Sequence, residues 1–180
     1  GLWFVYQAKV ERISGSAVLN VNAVTSPDDL LPVLEAFPNR AELAPKIYEY
    51  LERARPLRNT GALTAVIPRR QLARVKPLIA VRTLAEFRAQ LQRSALLYFA
   101  GFYIAALIWR LKRYRGDGAI LPALQLLTGF GFLLMVSMRD PLRDTLEFHK
   151  FAVGVFLGSL LLALPASRSS ITAASRVGVT

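Results

Sequence analysis

Gly118-Ala-Ile-Leu-Pro-Ala-Leu-Gln-Leu-Leu-Thr-Gly-Phe-Gly-Phe-Leu-Leu-Met-Val-Ser-Met138 is a run of 21 residues without an ionisable side chain. As a helix rising about 1.5 Å per residue it is roughly 31 Å long, the thickness of a bilayer's hydrocarbon core. Ser94–Trp109 and Phe151–Ser167 are uncharged as well. Between the first two runs stands Arg110-Leu-Lys-Arg-Tyr-Arg115, four cations in six residues. Apolar span, short basic loop, apolar span is the pattern of a helical hairpin in a membrane, with Arg110, Lys112, Arg113 and Arg115 keeping the loop in the cytoplasm. The expected fold class is all-α: a polytopic transmembrane bundle with three full spans at about 93–110, 118–138 and 149–166, a truncated first one, and a small, mainly helical extramembrane region.

Composition agrees once it is divided by segment. Hydrophobic residues make up 53% of the chain, yet 14 of the 23 Lys and Arg lie between Ala8 and Arg93, beside eight acids. That segment is basic and water-facing. A net charge of +11 suits nucleic acid, but cations next to spans meet anionic lipid and give the same balance, so no nucleic-acid partner is expected. There is no cysteine and only His149 among histidines, which excludes disulfides, thiolate metal sites and His-rich centres. No Gly-rich phosphate loop stands between a strand and a helix, and no cofactor is expected.

Residues 1–7 read as the end of a truncated spanning helix, with Trp3 and Tyr6 at the interface where such rings gather. Residues 8–92 read as an exoplasmic module. Ser26-Pro-Asp-Asp29 starts a short helix, because Ser caps, Pro opens and acids fill the first turn. Arg40–Arg53 carries Leu43, Ile47, Tyr50 and Leu51 on one stripe. Ala62–Ile67 reads as strand or loop, and Val75 and Ile79 are too sparse to place. Thr83-Leu-Ala-Glu86 has capping-box spacing, so a helix starts there and runs unbroken into the first full span. The loop at 139–150 joins the second and third spans outside, and residues 168–180 form a Ser- and Ala-rich cytoplasmic tail, disordered or truncated.

Few residues in this pattern suggest chemistry. Arg139-Asp-Pro-Leu-Arg-Asp144 places two arginines four apart, a spacing that can grip a diphosphate or a lipid headgroup. The simpler reading is that Arg139 and Asp140 end the span, Pro141 breaks the helix and Arg143–Glu147 restarts one at the interface. Gly154 and Gly158 have small-xxx-small spacing, and Gly129 and Gly131 add small residues to the preceding span; these four are expected to pack helices closely. Gln125, Thr128 and Ser137 are expected to bond across helices. No catalytic or metal-binding residue is assigned.

The ordered run Asp117, Leu121-Pro122, Gly129, Gly131 and Arg139-Asp140 resembles the third spanning helix of the SEDS family, the FtsW, RodA and SpoVE cell-cycle proteins. Gly118 stands where that family has Pro after Asp, and Thr128 where Asn is usual. The resemblance covers Arg93–Leu164. It implies the N-terminal membrane portion of a larger bacterial inner-membrane protein of cell division or cell shape, polymerising a lipid-linked peptidoglycan precursor. The implied catalytic loop lies in a later part of such proteins, and the implied partners are other cell-wall synthesis or divisome proteins and membrane lipids. The alternative is a non-enzymatic membrane anchor or scaffold that presents the 8–92 module to an envelope partner. Leu19–Ser26 is similar to the opening of helix-hairpin-helix DNA-binding repeats, but Glu35-Ala-Phe-Pro-Asn39 replaces the Gly-rich, phosphate-holding hairpin.

Overall fold

The structure, a computed structural model, describes residues 1–13, 18–114 and 116–164. The expected tail at 168–180 and Arg115 of the basic loop lie outside them. The described fold is mostly helical and contains two hydrophobic cores.

The first core belongs to a module running from Leu19 to Val81. Strands β1 (Leu19–Asn20) and β2 (Ile79–Ala80) pair in parallel, Leu19 opposite Ile79 and Asn20 opposite Ala80. This short pair departs from the all-α expectation. It joins the two ends of the module, whose helical turns all lie between them. A 3-10 turn at Pro27–Leu30 is fixed by the Asp29 carboxylate, which accepts the backbone N–H groups of Thr25 (2.9 Å) and Ser26 (3.0 Å). Helix α1 is Leu2–Ile13 and precedes the module; α2 is Arg40–Ala54 and buries Leu43, Ala44, Ile47 and Leu51 along its apolar stripe. The segment read as strand or loop at 62–67 is largely a 3-10 helix, Thr60–Ala65. Asn59 caps it by accepting the Ala62 N–H at 2.9 Å, and Leu63 and Ile67, four apart as on a helical face, are both buried. Val75 closes the seven-residue helix α3 (Arg69–Val75), too short to show a period in sequence.

Asn22 ties this module together. Its carboxamide accepts the Leu57 N–H (2.9 Å) and donates to the carbonyls of Leu57 (3.0 Å) and Val81 (2.6 Å). One side chain thereby satisfies three main-chain groups that belong to no ladder.

The second core packs α1 against α4 (Leu84–Leu111), α5 (Ile120–Met138) and α6 (Phe148–Ala163). Helix α4 opens on a capping box: Thr83 Oγ1 accepts the Glu86 N–H at 3.2 Å while Glu86 accepts the Thr83 N–H at 2.7 Å. It then runs 28 residues without a break, crossing the expected boundary at 92/93. It stops where Arg113 takes φ +48°, a left-handed cap that frees the chain to turn. Aromatic rings join the helices: Tyr98 of α4 stacks on Phe132 of α5 at 5.5 Å, Phe132 meets Phe148 of α6 edge-on at 6.1 Å, and Phe148 meets Phe87 at 6.2 Å. Tyr6 stacks on Phe87 at 6.5 Å, which brings in α1. That helix continues past residue 7 to Ile13.

Two helices, α4 and α5, are long and apolar enough to cross a membrane, and only 28% and 17% of their most apolar windows is buried within the chain. Core helices of a soluble globule are mostly covered; these leave Leu96, Leu107, Leu126, Leu127 and Leu134 more than half exposed. Helix α6 has 16 residues, about 24 Å at 1.5 Å each, shorter than a hydrocarbon core of about 30 Å.

Candidate functional site: the loop between α5 and α6

The loop from Arg139 to Glu147 is where the two cores are joined. Its shape begins with Asp140. One carboxylate oxygen accepts the Leu142 N–H at 2.9 Å, folding the chain back on itself, and the other receives Arg143 Nη1 at 2.8 Å. Asp144 returns the contact by accepting the Asp140 N–H at 3.0 Å. Pro141 and Leu142 are buried by this turn.

The turn is stitched to the module through main chain and side chain alike. Val81 N–H donates to the Leu142 carbonyl and Thr60 N–H to the Arg143 carbonyl, both at 2.9 Å. Arg143 sends Nε to the Ile79 carbonyl (3.0 Å) and Nη2 to the Pro77 carbonyl (2.6 Å). From the other side, Arg82 donates to the carbonyls of Pro141 (2.9 Å), Asp144 (2.6 Å) and Arg58 (2.7 Å). Asn59 Nδ2 reaches Thr145 Oγ1 at 3.0 Å, and Lys76 lies 3.7 Å from Asp144. Two guanidinium groups thus clasp each other's segments.

The electrostatics follow from that geometry. Burial raises the Asp140 carboxyl, but the hydrogen bonds from Arg143 and the Leu142 N–H, with the Arg143 charge, outweigh it and hold the group below the ordinary carboxylate range. Burial lowers Arg82, opposed by the charges of Glu86, Asp144 and Asp140; its guanidinium stays charged at any ordinary pH.

This accounts for the charged motif differently from a diphosphate grip. The Arg143 fork is turned onto Asp140 and two protein carbonyls, and a phosphate would have to displace them. Arg139 is more exposed and pairs with Glu147 at 3.9 Å. The expected helix restart at Arg143–Glu147 is corrected: residues 141–144 form a turn and α6 begins at Phe148, because the backbone carbonyls of 141–144 are engaged by Arg82, Val81 and Thr60.

The glycines divide. A Cβ on Gly129 would lie 3.2 Å from the Tyr98 hydroxyl, and one on Gly131 3.2 Å from Phe151, so both face neighbours. Gly154 and Gly158 are exposed, and among the described residues a Cβ on either meets nothing within 4 Å; packing among those residues does not run through them. The close approach is at Gly101, where a Cβ would fall 2.5 Å from Ser159 Oγ and 2.9 Å from Phe156 Cα. Gly101-xxx-Ala105 and Ser159-xxx-Ala163 carry the same small-residue spacing as Gly154-xxx-Gly158, so the signal recurs along the helices and only the fold selects among its occurrences. Thr128 does bond across helices, 3.1 Å from the Tyr98 hydroxyl, which also donates to the Gln125 carbonyl at 2.5 Å. Ser137 is exposed.

Of the basic loop, Arg110, Lys112 and Arg113 cluster where α4 ends, opposite the end that carries the module. Among the described residues no three His, Asp or Glu side chains converge as a metal site. Arg82 and Asn22 have no sequence signature; each acts through main-chain carbonyls brought together only by folding. No family model, curated protein or solved structure matches the chain.

Proposed function

We propose that the chain is the N-terminal membrane portion of a bacterial cell-division or cell-shape protein of the SEDS type, a glycosyltransferase that polymerises a lipid-linked peptidoglycan precursor at the outer face of the inner membrane. The ordered motif from Asp117 to Asp140 motivates it. The supporting observation is that Val81 and Thr60 bond to Leu142 and Arg143. This puts the module and the 139–147 loop at one end of the α4–α5 hairpin and Arg110, Lys112 and Arg113 at the other. A multi-pass protein with residues 8–92 exoplasmic and its basic loop cytoplasmic requires that arrangement. In this reading α6 lies in the third full span, and the exposed faces of α4 and α5 meet lipid or further helices.

The full-length protein, reconstituted with lipid-linked disaccharide-peptide precursor, is expected to form glycan polymer. Correct insertion without polymer would favour the second reading, a non-catalytic anchor that holds an external module for a divisome or other envelope partner. That reading draws on the same clamp, since the charged groups of the loop serve to fix the module's position.

A further inference from the structure

A cavity of about 390 Å³ opens between the start of α4 and the start of α6, lined by Glu86, Ala89, Gln90, Arg93 and His149. Glu86, Gln90 and Arg93 stand at i, i+4 and i+7, one stripe of the helix. Acid, amide and cation are therefore stacked along the helix axis, the two charges about 10 Å apart at 1.5 Å per residue.

His149 faces that stripe from α6 and is held in place by Ser94, which is fully buried. Ser94 Oγ lies 2.8 Å from the Gln90 carbonyl and 3.1 Å from His149 Nδ1. A carbonyl only accepts, so the serine proton goes to Gln90 and the ring contact is made by Nδ1–H. Nε2 is then the ring's acceptor, turned away from Ser94. Glu86 uses Oε2 to cap Thr83, which leaves Oε1.

Depth gives the stripe its meaning. Arg93 is the last charged residue before the uncharged run 94–109, the level at which lipid phosphates lie. Glu86 is two turns farther out. A zwitterionic phospholipid presents phosphate next to its glycerol and its amine beyond, the same order. We propose that this cavity binds the headgroup of phosphatidylethanolamine, with the phosphate on Arg93 and the ammonium on Glu86 and the Gln90 carboxamide oxygen. Phosphatidylglycerol has no cation for Glu86, and the trimethylammonium of phosphatidylcholine has no N–H to give it. The proposal rests on the membrane reading above.

The test titrates the full chain in detergent with phosphatidylethanolamine, phosphatidylglycerol and phosphatidylcholine and counts bound lipid by native mass spectrometry. Phosphatidylethanolamine is expected to be retained at least ~10-fold over the other two, with about 1.4 kcal/mol per factor of ten. Arg93→Gln should lower its retention about as much, and Glu86→Gln should reduce it to the level of phosphatidylglycerol. Glutamine also serves in a capping box, so Glu86→Gln is expected to keep its unfolding temperature; if it does not, the ranking of the three lipids on the unaltered chain decides. Equal retention of the three lipids, or no effect of Glu86→Gln in a folded protein, overturns the proposal. Flotation with vesicles separates the two levels: a chain that inserts but shows no preference loses only the headgroup site, whereas one that fails to float removes the membrane reading and this site with it.

Discussion

Arg143 and Asp140 show how a surface-type motif becomes structural. In sequence they are two charges of six in a loop. In the fold the arginine side chain is 16% exposed and gives three bonds, to Asp140, Ile79 and Pro77. Arg143→Ala leaves a partly buried carboxylate and two carbonyls without that donor, and should cost roughly 3 kcal/mol of module docking, since bonds to charged groups contribute about 1.5–3 each before solvent screening. Limited proteolysis of the 19–81 module would read this as faster cutting with the helices intact. Under the proposed polymerase reading, glycan polymerisation should stay within a few-fold of the unaltered protein; a loss near 100-fold without unfolding would make this arginine part of the substrate site. Because Asp140 is held below its unfolded value of about 3.9, the clamp is fully formed above that pH and is lost as pH falls through the lower, folded value. An unfolding temperature that is flat from pH 7 to 5 and drops below about 4 is expected, with Asp140→Asn removing part of the drop. Asn22→Ala should destabilise the module by about 2–3 kcal/mol, because three main-chain groups lose their partner together; urea unfolding of the full chain would measure it.

At the scale of elements, α4 is the spine. Its capping box fixes the start, its left-handed cap at Arg113 fixes the end, and Gly101 sets how closely α6 can lie on it. Gly101→Ala would push a methyl into the Phe156 backbone, so it should cost about 1–3 kcal/mol by overpacking. Gly154→Ala and Gly158→Ala should be neutral or slightly stabilising, since helix propensity favours alanine by up to about 1 kcal/mol. Thermal unfolding in detergent ranks the three; equal losses at all of them would place the α4–α6 contact elsewhere. The exposed side of Gly154 and Gly158 then remains available to helices outside this chain.

At the scale of the molecule, the hydrogen bonds of the 139–147 loop make the module and the helical bundle one unit at one end, with the basic turn at the other. The chain lacks cysteine, so single-cysteine variants label cleanly. Asn39→Cys is expected to react with an impermeant reagent in intact cells, and Lys112→Cys only after permeabilisation. The reverse pattern would invert the topology, and reaction of both from outside would remove the hairpin.

Local pattern alone is enough to write the long helices. The uncharged run in α5, the capping box before α4 and the stripe in α2 are local patterns, written by neighbours within a few turns, and each helix appears close to where its pattern places it. Short elements were not legible: the Leu19–Ile79 strand pair and the Thr60–Ala65 turn are too brief for a period and exist through contacts made across the module. The clamp was half legible. Arg139–Asp144 announced a charged loop, but its partner Arg82 is one of 23 cations, and nothing in its neighbourhood says that it reaches Pro141 and Asp144. Tertiary structure also chose Gly101 over Gly154 and Gly158. Small-residue spacing tells where helices are able to approach, and only the way α4, α5 and α6 share their aromatic core tells which of those faces is used.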